Sequence, residues 1–436
     1  RMTVNLSPAT LRKSGAGLEL AIALGLLVSE GKIPPEALEG VAVLGELGLD
    51  GSIRAVSGAL VLADTVARAG IDTVIVPEAN AHEAALVPGL RVRSAPTLAV
   101  LWSCLHGEVP WPDPEPASLP DLDLADDPVD LAEVRGLATA RLALEITAAG
   151  GHHLLLSGPP GCGKTMLARR LATILPPLDP EEAIEVTRIG SVCGGTPVTR
   201  LATDRPFRAP HHTCSTAALV GGGSGRPRPG EVTRSHRGVL FLDELGEFPP
   251  IALDALRQPL EEGVVRIARQ GASLVFPASS VLIACTNPCP CGRVASDCRC
   301  SETQKARYAR RLSAPLLDRF DLRLRITGPT AQDTGGEDSA GVAERVRAAV
   351  ERQRHRYRSC PWRWNREIPA GGLEHFATMS AEAREAWELV VESGMLTGRG
   401  AGRVRRVART IADLADRAEV TGEHIILAAS LRQEIS

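Results

Sequence analysis

Short apolar runs alternate with longer stretches of helical period over residues 1–327, and this alternation predicts α/β structure. The upstream third contains predicted strands and helices in turn: strands at 3–6, 41–47 and 73–76, and helices at 18–28 and 60–69. Glycine or proline follows several of these elements, as expected where an element ends. We therefore expect the upstream third to fold as an α/β unit.

A second α/β block follows, and then a helical one. Apolar runs predict strands at 154–156, 239–242 and 281–284, and helical periodicity predicts helices at 342–357, 381–393 and 403–418. Two polar segments without apolar period are interpreted as linkers. The predicted organisation is an upstream domain at 1–105, a linker at 106–128, a central domain at 129–328, a linker at 329–341 and a helical domain at 342–436.

The composition is that of an ordinary globular protein, with 44% hydrophobic and 23% charged residues. No apolar run reaches the roughly 18 residues that a membrane-spanning helix needs. We therefore expect a cytoplasmic protein without a membrane partner. Arg1 is not a start methionine, so we also expect the sequence to begin inside a longer chain.

The net charge of −3 is unevenly distributed. Residues 1–150 carry 10 basic and 20 acidic side chains, whereas residues 293–366 carry 17 basic and 9 acidic ones. The basic segment has two interpretations: contact with a polyanion, or arginines on solvated helix faces. Charge alone does not choose between them.

A glycine-rich turn follows the predicted strand at 154–156 and precedes an apolar helical stretch. Its sequence matches the phosphate-binding pattern G-x-x-x-x-G-K-[ST] in full: Gly158-Pro159-Pro160-Gly161-Cys162-Gly163-Lys164-Thr165. In such a loop the backbone N–H groups face the phosphates of ATP, and the helix N-terminus favours anions. Lys164 is predicted to reach the β- and γ-phosphates, and the hydroxyl of Thr165 to bind Mg²⁺.

Acidic and amide side chains follow the next two predicted strands. Asp243 and Glu244 come directly after the run 239–242. The aspartate is predicted to hold Mg²⁺ and the glutamate to polarise the water that attacks ATP. Asn287 comes shortly after the run 281–284, where its amide is predicted to lie beside the phosphates.

Arg319 lies in the string "LLDRF". An arginine donated by a neighbouring subunit can stabilise charge on the transferring phosphoryl group, and this is its predicted role. The alternative is an ordinary surface arginine paired with Asp318 or Asp321.

Several longer strings resemble one family. They are "RPFRAPHHTCSTAALVGGGSGRPRPGEV", "GVLFLDELGEFP", "LRQPLEEG", "NPCPCG", "PLLDRFDL" and "RVARTIADLA", with "VNLSPATLRK" and "LGELGLDGSIRAVSGAL" upstream. They resemble the ComM/YifB branch of the magnesium-chelatase-related AAA+ ATPases. The resemblance implies an α/β P-loop AAA+ domain, an N-terminal Lon-protease-type α/β domain and a C-terminal helical lid.

The resemblance also implies a hexameric ring with ATP between its subunits. It implies a branch migration helicase that acts on single-stranded or branched DNA in natural transformation or recombination. It implies that Asn287 senses the γ-phosphate. A second sensing arginine is implied in the lid, where Arg399, Arg403 and Arg406 remain alternatives because the spacing does not separate them.

Two inserts are typical of this branch. One is expected within 187–237. The other is expected to be a hairpin at about 263–277, where alternating side chains support two paired strands. Arg266 and Arg269 of this hairpin are candidate contacts to DNA.

The upstream third lacks the residues of an active Lon-type peptidase, which uses a serine nucleophile and a lysine base. Gly17 lies near the expected serine position, and Leu60 and Leu62 occupy the segment of the lysine. Ser14 has only its neighbour Lys13 nearby. We therefore predict a non-catalytic scaffold for ring assembly or DNA binding.

Four of the ten cysteines form a C-x-C…C-x-C pattern at Cys289, Cys291, Cys298 and Cys300. Four thiolates can enclose a tetrahedral Zn²⁺, here predicted to be structural. Reduced thiols in a loop are the alternative. The pair His211-His212 is a rival metal candidate, which we interpret as structural or associated with the insert.

Two functions fit the sequence: an ATP-driven DNA motor, and a protein-remodelling motor like the ATPase subunit of magnesium chelatase. The ATP site would be the same in both. Stimulation of ATP hydrolysis by DNA distinguishes them. Gly17 and Leu60 disfavour a third function, an active peptidase.

Overall fold

The alternating runs fold as α/β structure. A computed structural model describes residues 17–112, 129–193, 198–223, 227–269, 272–293, 298–328, 335–394 and 396–433. The chain divides into two units: the first is Arg1–Leu124, Asp179–Thr203 and Ala268–Ser273, and the second is Ala125–Leu178, Asp204–Ile267 and Leu274–Ser436. Residues 179–203, which the sequence placed in the central domain, thus group with the upstream unit, and the helical C-terminal part groups with the P-loop region.

The first unit contains a three-stranded parallel sheet with the order β1-β4-β5. Its strands are β1 (Val41–Val43), β4 (Thr73–Pro77) and β5 (Arg91–Ala95), with an antiparallel pair of β2 (Glu46–Leu47) and β3 (Ile53–Arg54). Its helices are α1 (Glu19–Ser29), α2 (Ala59–Arg68), α3 (Ala81–Ala85), α4 (Leu98–Leu105) and α7 (Pro180–Cys193). The helices predicted at 18–28 and 60–69 are confirmed.

The prediction of one strand over 41–47 is wrong. The N–H of Leu44 still bonds to the carbonyl of Ile75, but Gly45 instead bridges to Gly17, so the chain leaves the sheet there. The strand predicted at 3–6, Ser14 and Lys13 lie outside the described residues, as does most of the predicted linker 106–128.

Apolar side chains occupy the segment where a Lon-type peptidase would carry its lysine base. Leu60 is 2% exposed among the core side chains, and Leu62 on the same helix is 37% exposed. Neither side chain, nor Gly17, has a group that transfers protons. This region also contacts α7: the N–H of Gly58, at the start of α2, donates to the carbonyl of Ser191, and Asp64 on α2 pairs with Arg188 at 2.8 Å. The Lon-type assignment stays a prediction.

The second unit contains a five-stranded parallel sheet with the order β14-β6-β13-β10-β7. The strands are β6 (Leu154–Ser157), β7 (Phe207–Arg208), β10 (Val239–Leu242), β13 (Val281–Thr286) and β14 (Leu322–Arg325). β6, β10 and β13 are buried throughout, which explains why they are continuous apolar runs rather than alternating ones.

The second unit also contains helices and two pairs of antiparallel strands, although residues 268–273 of the second pair group with the first unit. The helices are α5 (Ala138–Gly150), α6 (Lys164–Ile174), α8 (Thr216–Val220), α9 (Glu231–Arg234), α10 (Pro250–Ala255), α11 (Arg257–Glu262), α12 (Glu302–Ala309), α13 (Ala314–Leu317), α14 (Ser339–Arg356), α15 (Leu373–Phe376), α16 (Ala381–Glu392), α17 (Gly398–Leu414) and α18 (Gly422–Ser430). The hairpin strands are β8 (Gly221–Gly222) with β9 (Arg228–Pro229), and β11 (Val264–Arg269) with β12 (Ala272–Pro277). The hairpin predicted at 263–277 is therefore confirmed as an element.

The C-terminal helices share one apolar core with the sheet. Leu144, Leu154, Val346 and Val407 are all buried in the same cluster. α17 begins five residues before its predicted start because the hydroxyl of Thr397 accepts a hydrogen bond from the N–H of Gly400, which caps the helix. None of the described helices has the length and apolarity to cross a membrane.

A buried carboxylate joins three segments of the helical part. Asp413 on α17 is fully buried and accepts hydrogen bonds from Arg356 at 2.5 and 2.9 Å, from Arg409 at 2.9 Å and from the amide of Asn365 at 2.8 Å. Burial of this charge is tolerable because two guanidinium groups compensate it.

We expect Asp413→Asn to destabilise the protein by about 3–5 kcal/mol, because it leaves the fully buried Arg409 and the partly buried Arg356 without their counter-charge. Denaturant unfolding followed by circular dichroism measures the change. The matched control is Asp416→Asn, since Asp416 pairs with Arg352 at 2.7 Å but is 76% exposed. This control is expected to cost no more than about 1 kcal/mol, and equal losses in both variants would contradict the network.

Candidate nucleotide site

One edge of the five-stranded sheet carries the predicted ATP-site residues. The P-loop follows β6, Asn287 follows β13 and Asp243 follows β10, and these three strands are consecutive neighbours in the sheet. Because the strands are parallel, their carboxyl ends meet at the same edge. Residues more than 120 positions apart in sequence are thereby brought together.

Two glycines allow the P-loop to adopt its shape. Gly163 has φ 93°, a left-handed conformation, and caps the N-terminus of α6. Gly158 lies so close to the carbonyl of Ile326 that a Cβ there would overlap it. Leu137, which the sequence analysis did not single out, also borders the loop, since a Cβ on Gly163 would lie 3.5 Å from its Cδ1.

Lys164 is a nearly buried cation, 8% exposed. Its ammonium group donates to the carbonyls of Gly158 and Pro159 at 2.7 and 2.8 Å and to the side-chain oxygen of Asn287 at 3.2 Å. These described oxygen partners are all neutral. A buried positive charge with neutral partners fits an anionic ligand such as the phosphates of ATP.

Thr165 and Asp243 meet beside this lysine. The hydroxyl of Thr165 donates to Oδ2 of Asp243 at 2.8 Å. A hydroxyl and a carboxylate are hard oxygen donors of the kind that Mg²⁺ prefers. The residue types and their contact therefore fit a magnesium ion between the loop and β10.

Glu244 adopts a left-handed backbone conformation, with φ 51° and ψ 48°. Its N–H donates to Oδ1 of Asp243 at 2.9 Å, which holds the turn. Its carboxylate is half-exposed and lies 3.1 Å from Nδ1 of His212. The sequence analysis missed this contact and interpreted the histidine pair as structural, because no local pattern links positions so far apart.

Arg319 is 7% exposed, and its partners among the described residues lie outside the P-loop. Its guanidinium pairs with Glu261 on α11 and donates to the carbonyl of Pro315 at 3.3 Å. The alternative partners expected from the sequence, Asp318 and Asp321, pair instead with Arg323 and Arg403. Its predicted role towards a neighbouring subunit stays a prediction.

The three lid arginines lie in different surroundings. Arg403 pairs with the buried Asp321 at 2.5 Å, Arg406 donates to the carbonyl of Ile368 at 2.7 Å, and Arg399 is exposed. Burial alone would raise the pKa of Asp321, but Arg403 and His152 outweigh it and hold that pKa well below its usual value. The structure thus distinguishes the three by their contacts without assigning the sensing role.

Four thiols meet directly after Asn287. The sulfurs of Cys289, Cys291, Cys298 and Cys300 all lie within 4.8 Å of one another. Three separations are 3.2 Å for 289–291, 3.5 Å for 289–298 and 3.7 Å for 291–298. In a tetrahedral Zn²⁺ site with bonds of about 2.3 Å, sulfurs are about 3.8 Å apart. The cluster therefore fits this metal.

The pKa values of two of these thiols move in opposite directions. Hydrogen bonding from the N–H of Arg293 lowers the pKa of Cys291 to about 6. Burial, followed by hydrogen bonding to the neighbouring thiols, raises the pKa of Cys289 to about 12. A bound metal would favour the deprotonated form of each sulfur.

The arginines of the basic segment 293–366 fall into two groups, so the structure is consistent with contact to a polyanion and with arginines on solvated helix faces. Some of its arginines form ion pairs within the chain: Arg319, Arg323, Arg345, Arg352 and Arg356. Others are exposed on or around α12: Arg293, Arg299, Arg307 and Arg310. On the β11–β12 hairpin, Arg266 is exposed and lies 3.2 Å from Glu262, and the side chain of Arg269 lies outside the described residues.

Three family models match the chain. "Magnesium chelatase, subunit ChlI" matches residues 130–334, "Magnesium chelatase, subunit ChlI C-terminal" matches 336–432, and "Subunit ChlI of Mg-chelatase" matches 1–80. The first covers the sheet with its P-loop, and the second covers the helices that pack on it. The chain belongs to the magnesium-chelatase-related AAA+ ATPases, in the group that includes ComM and YifB.

Similar proteins align along nearly the whole chain of this ATPase. An uncharacterised protein of Mycobacterium tuberculosis is 44% identical over 444 residues, covering 99% of this chain and 86% of that protein. YifB of Escherichia coli, also uncharacterised, is 39% identical over 438 residues, and the competence protein ComM of Haemophilus influenzae is 38% identical over 440 residues. Each of these two alignments covers 99% of this chain and 85% of the relative.

We expect Lys164→Ala to weaken ATP binding by at least about 100-fold, because it removes two or more hydrogen bonds to charged groups worth about 1.5–3 kcal/mol each. Titration with a fluorescent ATP analogue measures the affinity. The control is Lys305→Ala on α12, whose lysine pairs with Glu302 at 2.9 Å. Wild-type affinity in the Lys164 variant would contradict the phosphate-binding role.

Proposed function

We propose that this AAA+ ATPase is a ring-forming, ATP-driven DNA motor that acts on single-stranded or branched DNA. The observation that carries the ATP-dependent part is the nearly buried Lys164, which has neutral oxygen partners and lies beside the Thr165–Asp243 contact. A nearly buried ammonium group whose described oxygen partners are all neutral favours an anionic ligand.

We assign a role in ATP hydrolysis to each of the residues at the carboxyl ends of β6, β10 and β13. Lys164 binds the β- and γ-phosphates and Asn287, which contacts Lys164, senses the γ-phosphate. Thr165 and Asp243 would hold Mg²⁺, which, when bound, neutralises phosphate charge. Glu244 accepts the proton of the attacking water.

In the proposed ring, a neighbouring subunit supplies an arginine to each nucleotide site. Arg319 is engaged with Glu261 in its own chain, away from the P-loop contacts. An arginine placed this way can act on the nucleotide of a neighbour if subunits assemble head to tail. This supports a closed ring, which we propose to be a hexamer, with ATP between its subunits.

Two observations support DNA as the substrate. Four exposed arginines lie close together in sequence on α12 and on either side of it, at Arg293, Arg299, Arg307 and Arg310. Guanidinium groups on one surface segment attract phosphodiester backbones. The similarity to a competence protein over nearly the full chain adds to this. The upstream unit would be a non-catalytic scaffold of the ring.

The second candidate function is remodelling of a protein partner. The three magnesium-chelatase family models favour it, because together they match most of the chain. The nucleotide edge serves both functions equally well. Only the response of hydrolysis to DNA or to a protein separates them.

We expect single-stranded or branched DNA to raise ATP hydrolysis several-fold, with a response that declines steeply as salt increases. In the same assay Glu244→Gln should bind ATP but hydrolyse it about 10²–10⁴-fold more slowly, because it lacks the base. The control is Glu247→Gln, whose glutamate forms an exposed pair with Arg311 at 2.9 Å. If no DNA binds at moderate salt and no hydrolysis is stimulated, the DNA motor is excluded and protein remodelling becomes the leading function.

We also propose that the cluster of Cys289, Cys291, Cys298 and Cys300 holds a structural Zn²⁺. The loop that carries it lies against the P-loop, since a Cβ on Gly292 would lie 2.8 Å from Cγ of Pro160. With four protein ligands the metal has no open position for a substrate. Its role is to hold the segment after Asn287 in place.

Purified protein should contain about one zinc per chain by elemental analysis. Cys289→Ser and Cys298→Ser should each lose the metal and raise the KM for ATP, because Asn287 and Pro160 lose their support. Cys360→Ser, outside the cluster, is the matched control. Absence of zinc from wild-type protein prepared without chelators would refute the proposal and leave reduced thiols as the explanation.

A further inference from the structure

A small cavity lies at the edge of the five-stranded sheet that is opposite to the nucleotide site. The segments just before β10 and β13 line it, at Arg237 and Ser280, and Arg205 and Arg366 line it as well. Its lining residues all belong to the second unit. Arg237 and Asp243 lie at the two ends of β10, which places the cavity about 20 Å from the nucleotide site along the strand.

Arg366 brings a largely buried cation to this cavity, because its side chain is only 13% exposed. Its Nη1 lies 2.6 Å from Nε2 of His153 and donates to the carbonyl of Ser280 at 3.4 Å. Burial, followed by the charge of Arg366, holds the pKa of His153 well below its usual value, so this ring is neutral. Burial also lowers the pKa of Arg366, and Glu367, 3.8 Å from its Nη2, offsets that effect only in part.

Two buried polar groups in the wall of the cavity have no hydrogen-bond partner among the described residues. They are Nε of Arg366 and Oγ of Ser280. Ser280 is 5% exposed and lines the same cavity as Arg366. A buried donor without an acceptor costs free energy, so both groups favour an acceptor that enters the cavity.

Two further arginines are fixed at this cavity by backbone contacts. Arg205 donates to the carbonyls of Pro176 and Arg237, both at 2.6 Å, and its guanidinium lies 5.8 Å from the centre of the Trp364 ring. Arg237 has a left-handed conformation, φ 61°, and its N–H donates to the carbonyl of Ser279 at 2.7 Å. These contacts hold the wall in place before any ligand binds, which lowers the cost of binding.

The size and the charge of the cavity indicate its ligand. Its enclosed part, about 20 Å³, admits one group of the size of an oxygen atom. Three arginines line it, whereas no aspartate or glutamate does so within the described part of the chain. A water molecule can accept the two hydrogen bonds but brings no charge. An oxygen of a phosphate group accepts them and also neutralises guanidinium, which binds phosphate strongly.

We propose that this cavity is a second phosphate-binding site, separate from the ATP site. Arg366 and Ser280 bind one phosphate oxygen inside the cavity, and Arg205 and Arg237 supply positive charge to the rest of the group. The same chemistry is offered by the backbone of DNA and by small phosphate compounds. The site does not depend on the proposed DNA motor, because either source fits it.

Isothermal titration calorimetry with inorganic phosphate tests the site. The protein is first saturated with Mg²⁺ and a non-hydrolysable ATP analogue so that the P-loop is occupied, and the ionic strength is held constant. We expect wild-type protein to bind phosphate with a dissociation constant of about 1 mM or below. Arg366→Gln should weaken binding on the order of 10- to 100-fold, because it removes a charged donor.

Two more variants make the titration specific. Ser280→Ala should weaken phosphate binding on the order of 5-fold and keep the melting temperature, because its hydroxyl has no partner to lose within the described chain. It therefore tests the site even if Arg366→Gln fails to fold. Arg384→Gln is the matched control, since Arg384 is an exposed arginine on α16, and it should bind phosphate as wild type does.

Fluorescence anisotropy with a single-stranded oligonucleotide identifies the source of the phosphate. Parallel losses of phosphate and oligonucleotide affinity in the cavity variants assign it to DNA, whereas loss of phosphate affinity alone assigns it to a small phosphate compound. Both results support the site. It is overturned if wild type binds no phosphate at about 10 mM, if either cavity variant binds it as wild type does, or if Arg384→Gln loses as much. A wild-type protein that binds phosphate but no oligonucleotide excludes the DNA motor and leaves the site intact.

Discussion

The parallel order of five strands is the constraint on which the nucleotide site depends. Parallel strands place their carboxyl ends at one edge, and in this sheet the P-loop strand lies beside the strand that precedes Asn287, with the strand of Asp243 next in order. The contacts of Lys164 with Asn287 and of Thr165 with Asp243 follow from that order. A change in strand order would separate these groups even if every motif were intact.

Buried charges show which parts of the molecule are scaffold and which part is a site. Asp413 and Asp321 are fully buried, and each is paired with arginine inside the chain. Lys164 is nearly as buried, but the oxygen partners that the structure describes for it are neutral. A buried charge that is paired with an opposite charge of the same chain needs no ligand. A nearly buried cation whose described partners are neutral is stabilised by an anionic ligand. The same criterion makes Arg319, which is paired with Glu261, part of the resting scaffold of its own chain.

The loops at this edge are held by neighbours as well as by their own turns. Gly292, at the end of the first cysteine pair, packs on Pro160 of the P-loop. His212, after the edge strand, contacts Glu244. These contacts place the cysteine cluster and the segment after β7 next to the nucleotide site.

The sequence by itself determined the P-loop, the pair Asp243-Glu244, the strand before Asn287 and the longer helices near 18–28, 60–69, 342–357, 381–393 and 403–418, because each has a local pattern of residue type or period. It also determined the cysteine cluster, whose members are close in sequence. Only the tertiary structure decided that His212 meets Glu244, that Arg319 pairs with Glu261 and that 179–203 groups with the upstream unit. These depend on strand order and on packing between distant segments, which no local pattern encodes.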